Sequence, residues 1–268
     1  MVSAYWYKGR DHPNLGDEIT PILLKRMYNS DVVLRNSKVA DLISTGSILG
    51  WLRRDQVEES GRAEPQHVVG SGFMYSSDVV IARDNLKIHS VRGHLSRQKL
   101  DWLPMQSIAI GDPGVLVSEF ASIGNTPVRQ GIGFIPHHSR VDDEVFCRPY
   151  IDAGFRKIDI RTNDIDGFMT ELASCEAVIS QSLHGLIFAD AIGVPNVWLR
   201  LQGVVGKGDF KYLDYFSTVG RDFDSGINTP PRTSADVVRM ADVGSQAHIE
   251  RLRSNAKKSF EEALSLIS

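Results

Sequence analysis

The sequence predicts an α/β fold in two halves, each built on a largely parallel sheet. Three observations predict it. Short β-rich runs recur at residues 4–7, 32–34, 67–69, 86–91, 107–110, 131–135, 157–160, 177–179 and 196–199, separated by helix-like or turn-like stretches; strands that alternate with helices assemble as parallel sheets. The length of 268 residues, at about 150 residues per domain, corresponds to about 1.8 domains. Residues 119–130 carry Gly, Asn, Thr and Pro without periodicity near the middle of the chain, and they mark a linker.

The elements follow in order. After the first strand, residues 17–27 place Ile19, Ile22, Leu23 and Met27 on one helical face, a crossover helix. The run at 67–69 leads into Val69-Gly70-Ser71-Gly72, a glycine-rich strand end that either turns or lets a ligand approach the backbone. The run at 86–91 ends at Arg92. Beyond the linker, residues 131–135 open the second half and lead into Ile135-Pro136-His137-His138-Ser139-Arg140, and residues 164–172 supply a second crossover helix. Ile249, Leu252, Ala256, Phe260, Ala263 and Ile267 keep helical spacing and predict a long amphipathic terminal helix. The resulting architecture is two Rossmann-like halves, residues 1–124 and 125–268, with a cleft between them and the terminal helix closing the structure. Ligands of such sheets bind outside the carboxyl ends of the strands.

Composition narrows the function. With 42% hydrophobic and 24% charged residues the chain is an ordinary globular protein. Thirty Lys and Arg against 33 Asp and Glu leave a net charge of −3, which argues against a protein built to coat nucleic acid or an anionic membrane. Cys147 and Cys175 have no metal-ligand spacing and form no disulfide framework, so a reducing cytoplasm fits best. Residues 1–10 lack the basic and apolar regions of a signal peptide. The most apolar stretch, residues 177–199, holds His184, Asp190 and Pro195 and reads as strand, helix and strand rather than a membrane span.

That stretch is also the most informative for chemistry. A buried strand runs into Ser180-Gln181-Ser182, and Leu183, Leu186, Ile187, Asp190, Ala191 and Ile192 then suggest a helix with an apolar face, with Ser182 suited to cap it. Such a helix start aims free backbone N–H groups at the cleft and makes a site for phosphate or carboxylate. His184 stands in the first turn, where an imidazole can act as general acid or can simply pack. Arg92, at a strand end, can offer a bidentate fork to an anion or form a salt bridge. Asn14 and Asp17, around the tight turn at Gly16, suit sugar hydroxyls or helix capping. His137 and His138, adjacent in an extended segment, are expected to point to opposite sides and to be poor co-ligands of one metal; His138 or Arg140 is a weaker cleft candidate. Lys207 and Lys211 lie in a glycine-containing basic segment suited to phosphate. No dinucleotide or P-loop motif is present.

Ordered landmarks add to this reading. They are Asn14-Leu15-Gly16-Asp17, Val69-Gly70-Ser71-Gly72-Phe73, Val91-Arg92-Gly93 with Ser96, Gly111-Asp112-Pro113, Ser182-Leu183-His184-Gly185 with its continuation to Trp198, and Phe210-Lys211-Tyr212-Leu213-Asp214-Tyr215. In this order they resemble the polysaccharide pyruvyl transferase family, in particular its exopolysaccharide ketal-pyruvate members. The resemblance implies two Rossmann-like halves in a GT-B-like arrangement. It implies transfer of the enolpyruvyl group of phosphoenolpyruvate onto a sugar of a bacterial surface or exopolysaccharide repeat unit, forming a pyruvate ketal and releasing phosphate. Phosphoenolpyruvate is then a co-substrate, and neither a resident cofactor nor a metal is needed.

By the same resemblance His184 and Arg92 are catalytic. Ser182, Leu183, Gly185, Lys207, Lys211, Arg200 and His138 serve the donor, and Asn14, Asp17 and Gly72 serve the acceptor in the first half. The family's donor site carries an Arg-Leu-His triplet, whereas this chain reads Ser182-Leu183-His184, so the Ser182 hydroxyl with neighbouring N–H groups, or Arg200, Lys207 or Lys211, must replace a guanidinium. A lipid-linked acceptor would bring a cytoplasmic protein to the inner face of the membrane. Two alternatives stand beside this reading: a GT-B glycosyltransferase using a nucleotide sugar, and an inactive glycan-binding homologue.

Overall fold

The computed structural model describes residues 1–9, 11–52, 64–80, 85–104, 107–124, 128–201 and 208–267. Six strands, β1 (Val2–Tyr5), β2 (Val32–Leu34), β3 (Leu42–Ser44), β4 (Gln66–Ser71), β5 (Leu86–Val91) and β6 (Ala109–Ile110), form a sheet in the order β2-β1-β3-β4-β5-β6. Four more, β7 (Ile132–Ile135), β8 (Arg156–Lys157), β9 (Ala177–Ser180) and β10 (Asn196–Trp198), form a second sheet in the order β10-β9-β7-β8. Every pairing between these strands is parallel. Such sheets bury both faces under helices, and all of β3, β4, β7, β9 and β10 is accordingly buried.

The covering helices are α1 (Ile19–Tyr28), α2 (His94–Gln98), α3 (Val117–Phe120), α4 (Glu144–Asp152), α5 (Ile165–Ala173), α6 (Leu183–Ala191), α7 (Phe210–Val219), α8 (Ser234–Met240) and α9 (Gln246–Leu264). The start signals are those helices use: Asp143, Asp164, Ser182 and Thr233 each accept a backbone N–H of the first turn. α1 ends on Asn29 in the left-handed conformation, whose N–H returns to the carbonyl of Leu24. In α6 every residue is buried, as an almost wholly apolar helix requires. Its one charge, Asp190, accepts bonds from Tyr215, Asn196, Arg221 and the Gly244 amide, and this network makes its burial tolerable.

Three features depart from the sequence expectation. β3 was not expected, because Leu42-Ile43-Ser44 is too short to show a period; it forms between β1 and β4, in register with both. The run at 157–160 pairs only at Arg156–Lys157, and the run at 107–110 only at Ala109–Ile110. Of the expected linker, residues 119 and 120 close α3 and residues 125–127 lie outside the described residues. The terminal helix forms as its spacing predicts, and it packs back on the first sheet: α9 lies against β4, β5 and β6, with Ala256, Phe260 and Ala263 in one apolar cluster with Val2, Ala4 and Trp6.

Gly70 shows why the glycine-rich strand end is built as it is. Its φ is +74°, it sits at a shift in the β4–β5 register, and a Cβ there would meet the Pro113 ring at 2.2 Å. The bulge seats the Gly111-Asp112-Pro113 turn directly against β4. Bonds link the segments that carry the two sheets. Arg92 donates from Nε to Asp214 at 3.0 Å with both groups fully buried. Arg26 makes a two-pronged bond to Asp166 at 2.6 and 2.9 Å, and the Leu15 amide donates to the Ile160 carbonyl.

Candidate active site

The strand ends surround a cavity of about 380 Å³, within the range of about 300–1,000 Å³ usual for small-molecule sites. From the first half come Tyr7 after β1, Asn14 and Asp17 before α1, Gly46 and Ser47 after β3, and Arg92 after β5. From the second come His137 and His138 after β7, Ser182, Leu183 and His184 at the start of α6, and Lys211 in α7. Both sheets thus present their carboxyl ends to one space, where ligands of parallel sheets bind.

The start of α6 forms the floor. Ser182 caps the helix by accepting the Gly185 N–H at 3.5 Å, and the Ser180 hydroxyl takes the Ser182 N–H at 3.0 Å. Leu183 and His184 occupy the first turn, whose N–H groups have no partner within a helix. A buried bond from the Tyr212 hydroxyl to the Gln181 carbonyl, 2.6 Å, pins this turn to α7; burial raises the Tyr212 phenol well above its ordinary range, so it stays a donor.

His184 is only 6% exposed. Its ring lies against Gly16, where a Cβ would come within 2.5 Å of His184 Cγ, so the tight turn expected from the sequence also makes room for the imidazole. Nε2 lies 3.8 Å from Asp112 Oδ1 and has no hydrogen-bond partner.

Arg92 lines the cavity but is largely committed elsewhere. Nε binds Asp214, Nη1 donates to Ser47 Oγ at 2.8 Å and Nη2 to the Phe73 carbonyl at 2.6 Å. Three of its five N–H groups are thereby used, and two remain for the cavity. Asp214 also accepts from the Ser96 amide and hydroxyl. Asp214 was not assigned a role from sequence because it lies 122 residues from Arg92; the available sign was its place in the Phe210-Lys211-Tyr212-Leu213-Asp214-Tyr215 landmark.

Asn14 and Asp17 line the same cavity, joined by an Asn14 Nδ2 to Asp17 Oδ2 bond of 2.7 Å. Neither caps α1, whose N-cap is Glu18 without a side-chain bond. The expected divergence of His137 and His138 is corrected. The strand ends at Ile135 and a 3-10 turn spans His138–Arg140, so the rings pack 4.2 Å apart and both line the cavity. Among the described residues, no group of three or more His, Cys, Asp or Glu side chains is placed to hold a metal.

Other expected residues lie elsewhere. Arg200 stacks over Trp198 and pairs with Asp209 at 2.6 Å, away from the cavity. Arg140 pairs with Asp143 over the Phe146 ring. Gly72 sits behind Arg92, with its α-carbon against the guanidinium, and Gly185 only receives the Ser182 cap. Lys207 lies outside the described residues. Lys211 does reach the cavity. The sequence reading also overlooked Tyr7, Ser47 and Trp51, which complete the first-half wall; the run Thr45-Gly46-Ser47 after apolar Leu42-Ile43 was the available signal for a strand end there.

Fold and cavity together define a parallel α/β protein with a histidine-bearing cleft at the meeting of two sheets. The family model for polysaccharide pyruvyl transferase matches residues 3–202, and the chain belongs to that family. It is 33% identical over 216 residues to uncharacterized protein L143 of Acanthamoeba polyphaga mimivirus, covering 79% of this chain and 72% of that protein. It is 28% identical over 161 residues to the succinoglycan biosynthesis protein ExoV of Rhizobium meliloti (strain 1021), covering 59% of this chain and 49% of that protein. Among the described residues no helix is long and apolar enough to cross a membrane.

Proposed function

We propose that the protein transfers the enolpyruvyl group of phosphoenolpyruvate to two hydroxyls of one sugar in a surface or extracellular polysaccharide repeat unit, forming a cyclic pyruvate ketal and releasing phosphate. The observation that carries this reading, beyond family membership, is one cavity that brings His184 and the α6 start together with Arg92, Lys211, Asn14 and Asp17. The first four suit a small anion with an acid beside it. Asn14 and Asp17 suit hydroxyls. In this reading the two sheets form the GT-B-like pair, with the donor held by the second half and the acceptor by the first.

The chemistry follows from charge. Protonation of the methylene carbon C3 makes C2 electrophilic, and cations and N–H groups around the carboxylate and phosphate stabilise the shift toward an oxocarbenium-like centre. His184 supplies that proton. Arg92, the Leu183 and His184 amides and Lys211 hold the anion, with His138 at its side, and the scheme requires no metal or resident cofactor. The Ser182 hydroxyl stands where the family's guanidinium would be; its oxygen accepts the cap while its O–H can still donate to the anion, and Lys211 brings a positive charge to the same cavity. The succinoglycan relative supports an acceptor of the same broad kind, a polysaccharide repeat unit, and a lipid-linked acceptor would place the protein at the inner face of the membrane.

Mass spectrometry of candidate oligosaccharides after incubation with phosphoenolpyruvate tests the reading. A gain of one pyruvate ketal, with acceptor-dependent phosphate release, is expected, and His184→Ala should lower kcat by about 10²–10⁴-fold. Release that is absent across pyruvylatable glycans, or untouched by His184→Ala, overturns it.

A further inference from the structure

We infer that Asp112 is a positioning residue for His184: it holds the imidazole by Nε2, so that Nδ1 is the nitrogen that exchanges protons with the cavity. Nothing in the family match assigns Asp112 this part, and the geometry carries it. Asp112 is fully buried. Its Oδ1 accepts the Gly114 amide at 2.8 Å, which starts the 3-10 turn at Pro113–Leu116, and the same oxygen lies 3.8 Å from His184 Nε2. Oδ2 and Nε2 are both buried without a hydrogen-bond partner. Among the described residues no Lys or Arg forms an ion pair with Asp112, so the imidazole is the basic side chain placed beside this buried carboxylate. A buried carboxylate requires such a partner.

The other ring edge is arranged oppositely. Nδ1 is not among the buried unpartnered atoms, and it faces Gly16, where a Cβ would stand 2.3 Å away. Gly16 therefore puts no side chain over Nδ1, and His184 lines the cavity. A carboxylate beside Nε2 favours the neutral tautomer with its proton there and a lone pair on Nδ1. When the ring is protonated, Nδ1–H is the donor that faces the cavity, while the positive charge rests against Asp112. The 3.8 Å separation exceeds a hydrogen bond, and such contacts commonly tighten only when substrate is bound.

This inference takes the destination of the proton from the proposed pyruvyl transfer. In that reaction the Nδ1 proton passes to the methylene carbon, one acceptor hydroxyl returns its proton to Nδ1, and the second hydroxyl proton leaves with the phosphate. Asp112 remains a carboxylate throughout. Asp112 follows β6 of the first sheet and His184 starts the helix after β9 of the second, so the pairing forms where the two sheets meet.

The test reads the tautomer without turnover. Full-length protein labelled with ¹⁵N-histidine, with His184 assigned through His184→Gln, is examined by long-range ¹H–¹⁵N correlation in the neutral state of the ring. The expected signature is the Nε2–H tautomer in the native protein and loss of that preference in Asp112→Ala, which removes the oxygen facing Nε2. With phosphoenolpyruvate and acceptor, Asp112→Ala should lower kcat by about 10²-fold while changing the KM for phosphoenolpyruvate little. An Nδ1–H tautomer, or one unchanged by Asp112→Ala, overturns the inference even in an active transferase. If Asp112→Ala does not fold, the native tautomer alone decides. An Nε2–H tautomer in a protein that transfers no pyruvyl group leaves the Asp112–His184 pairing standing and counts against the proposed reaction instead.

Discussion

At the scale of single residues, the site depends on what surrounds each functional group more than on the group itself. Gly16 is in contact with the His184 ring, so Gly16→Ala should push the imidazole away from its place. A displacement near 1 Å at a reacting group costs about 10²-fold in rate. We expect Gly16→Ala to lower kcat by that order while the far-ultraviolet circular dichroism stays native, and kinetics beside the spectrum check it. Arg92 presents the converse case. Its guanidinium is bonded to Asp214, Ser47 and the Phe73 carbonyl, and removing one partner of a buried ion pair costs about 3–5 kcal/mol. Arg92→Ala should therefore reduce unfolding stability by about that amount in urea titration, in addition to any effect on the reaction. A variant that loses activity at native stability would show that Arg92 acts only on the ligand.

At the scale of elements, the terminal helix α9 is the exposed flank of the fold. It covers β5, where His89 stacks on His67 with Nε2 2.9 Å from His67 Nδ1 and lies 3.5 Å from Glu262 of α9. Burial lowers the His89 pKa from 6.5, against the attraction of Glu262 and with the help of Lys87. A group whose value is depressed on folding stabilises the native state above its unfolded pKa and loses that contribution as pH falls through the folded value. His94 on α2 shifts in the same direction through burial, with Arg97 and Arg251 adding to it. The protein should accordingly melt lower at about pH 5.5 than at about pH 7.5, and His89→Gln should flatten that dependence. Thermal melts across this window measure it, and an equal or higher melting temperature in acid would refute the assignment.

At the scale of the whole molecule, the cavity is shared, so ligand binding should hold the halves together. A ligand that binds only the folded protein adds about 2.7 kcal/mol at a hundredfold excess over Kd. Phosphoenolpyruvate should raise the melting temperature, and nucleotide sugars should not. The reverse pattern would favour a nucleotide-sugar glycosyltransferase. The contacts between halves differ in kind: Arg92–Asp214 is fully buried, whereas Arg26–Asp166 is half-exposed, and exposed pairs contribute only about 0–1 kcal/mol.

Much of this was legible in the chain. The alternation of apolar runs with helical spacing specified a parallel α/β fold, because burial of both sheet faces leaves a local trace in most strands, though not in the three-residue β3. Ser182 before an apolar helix specified the cap, and the spacing from Ile249 to Ile267 specified α9. The ordered motifs were enough to indicate the family. What the chain could not show was partnership. Which carboxylate neutralises Arg92, that Asp112 faces His184, and that α9 returns to the first sheet are all contacts between residues far apart in sequence. Period and capping act over one or two turns of chain and are written locally. The pairing of buried charges is decided only when separate elements pack, because desolvation makes each buried ion depend on whatever the fold brings beside it.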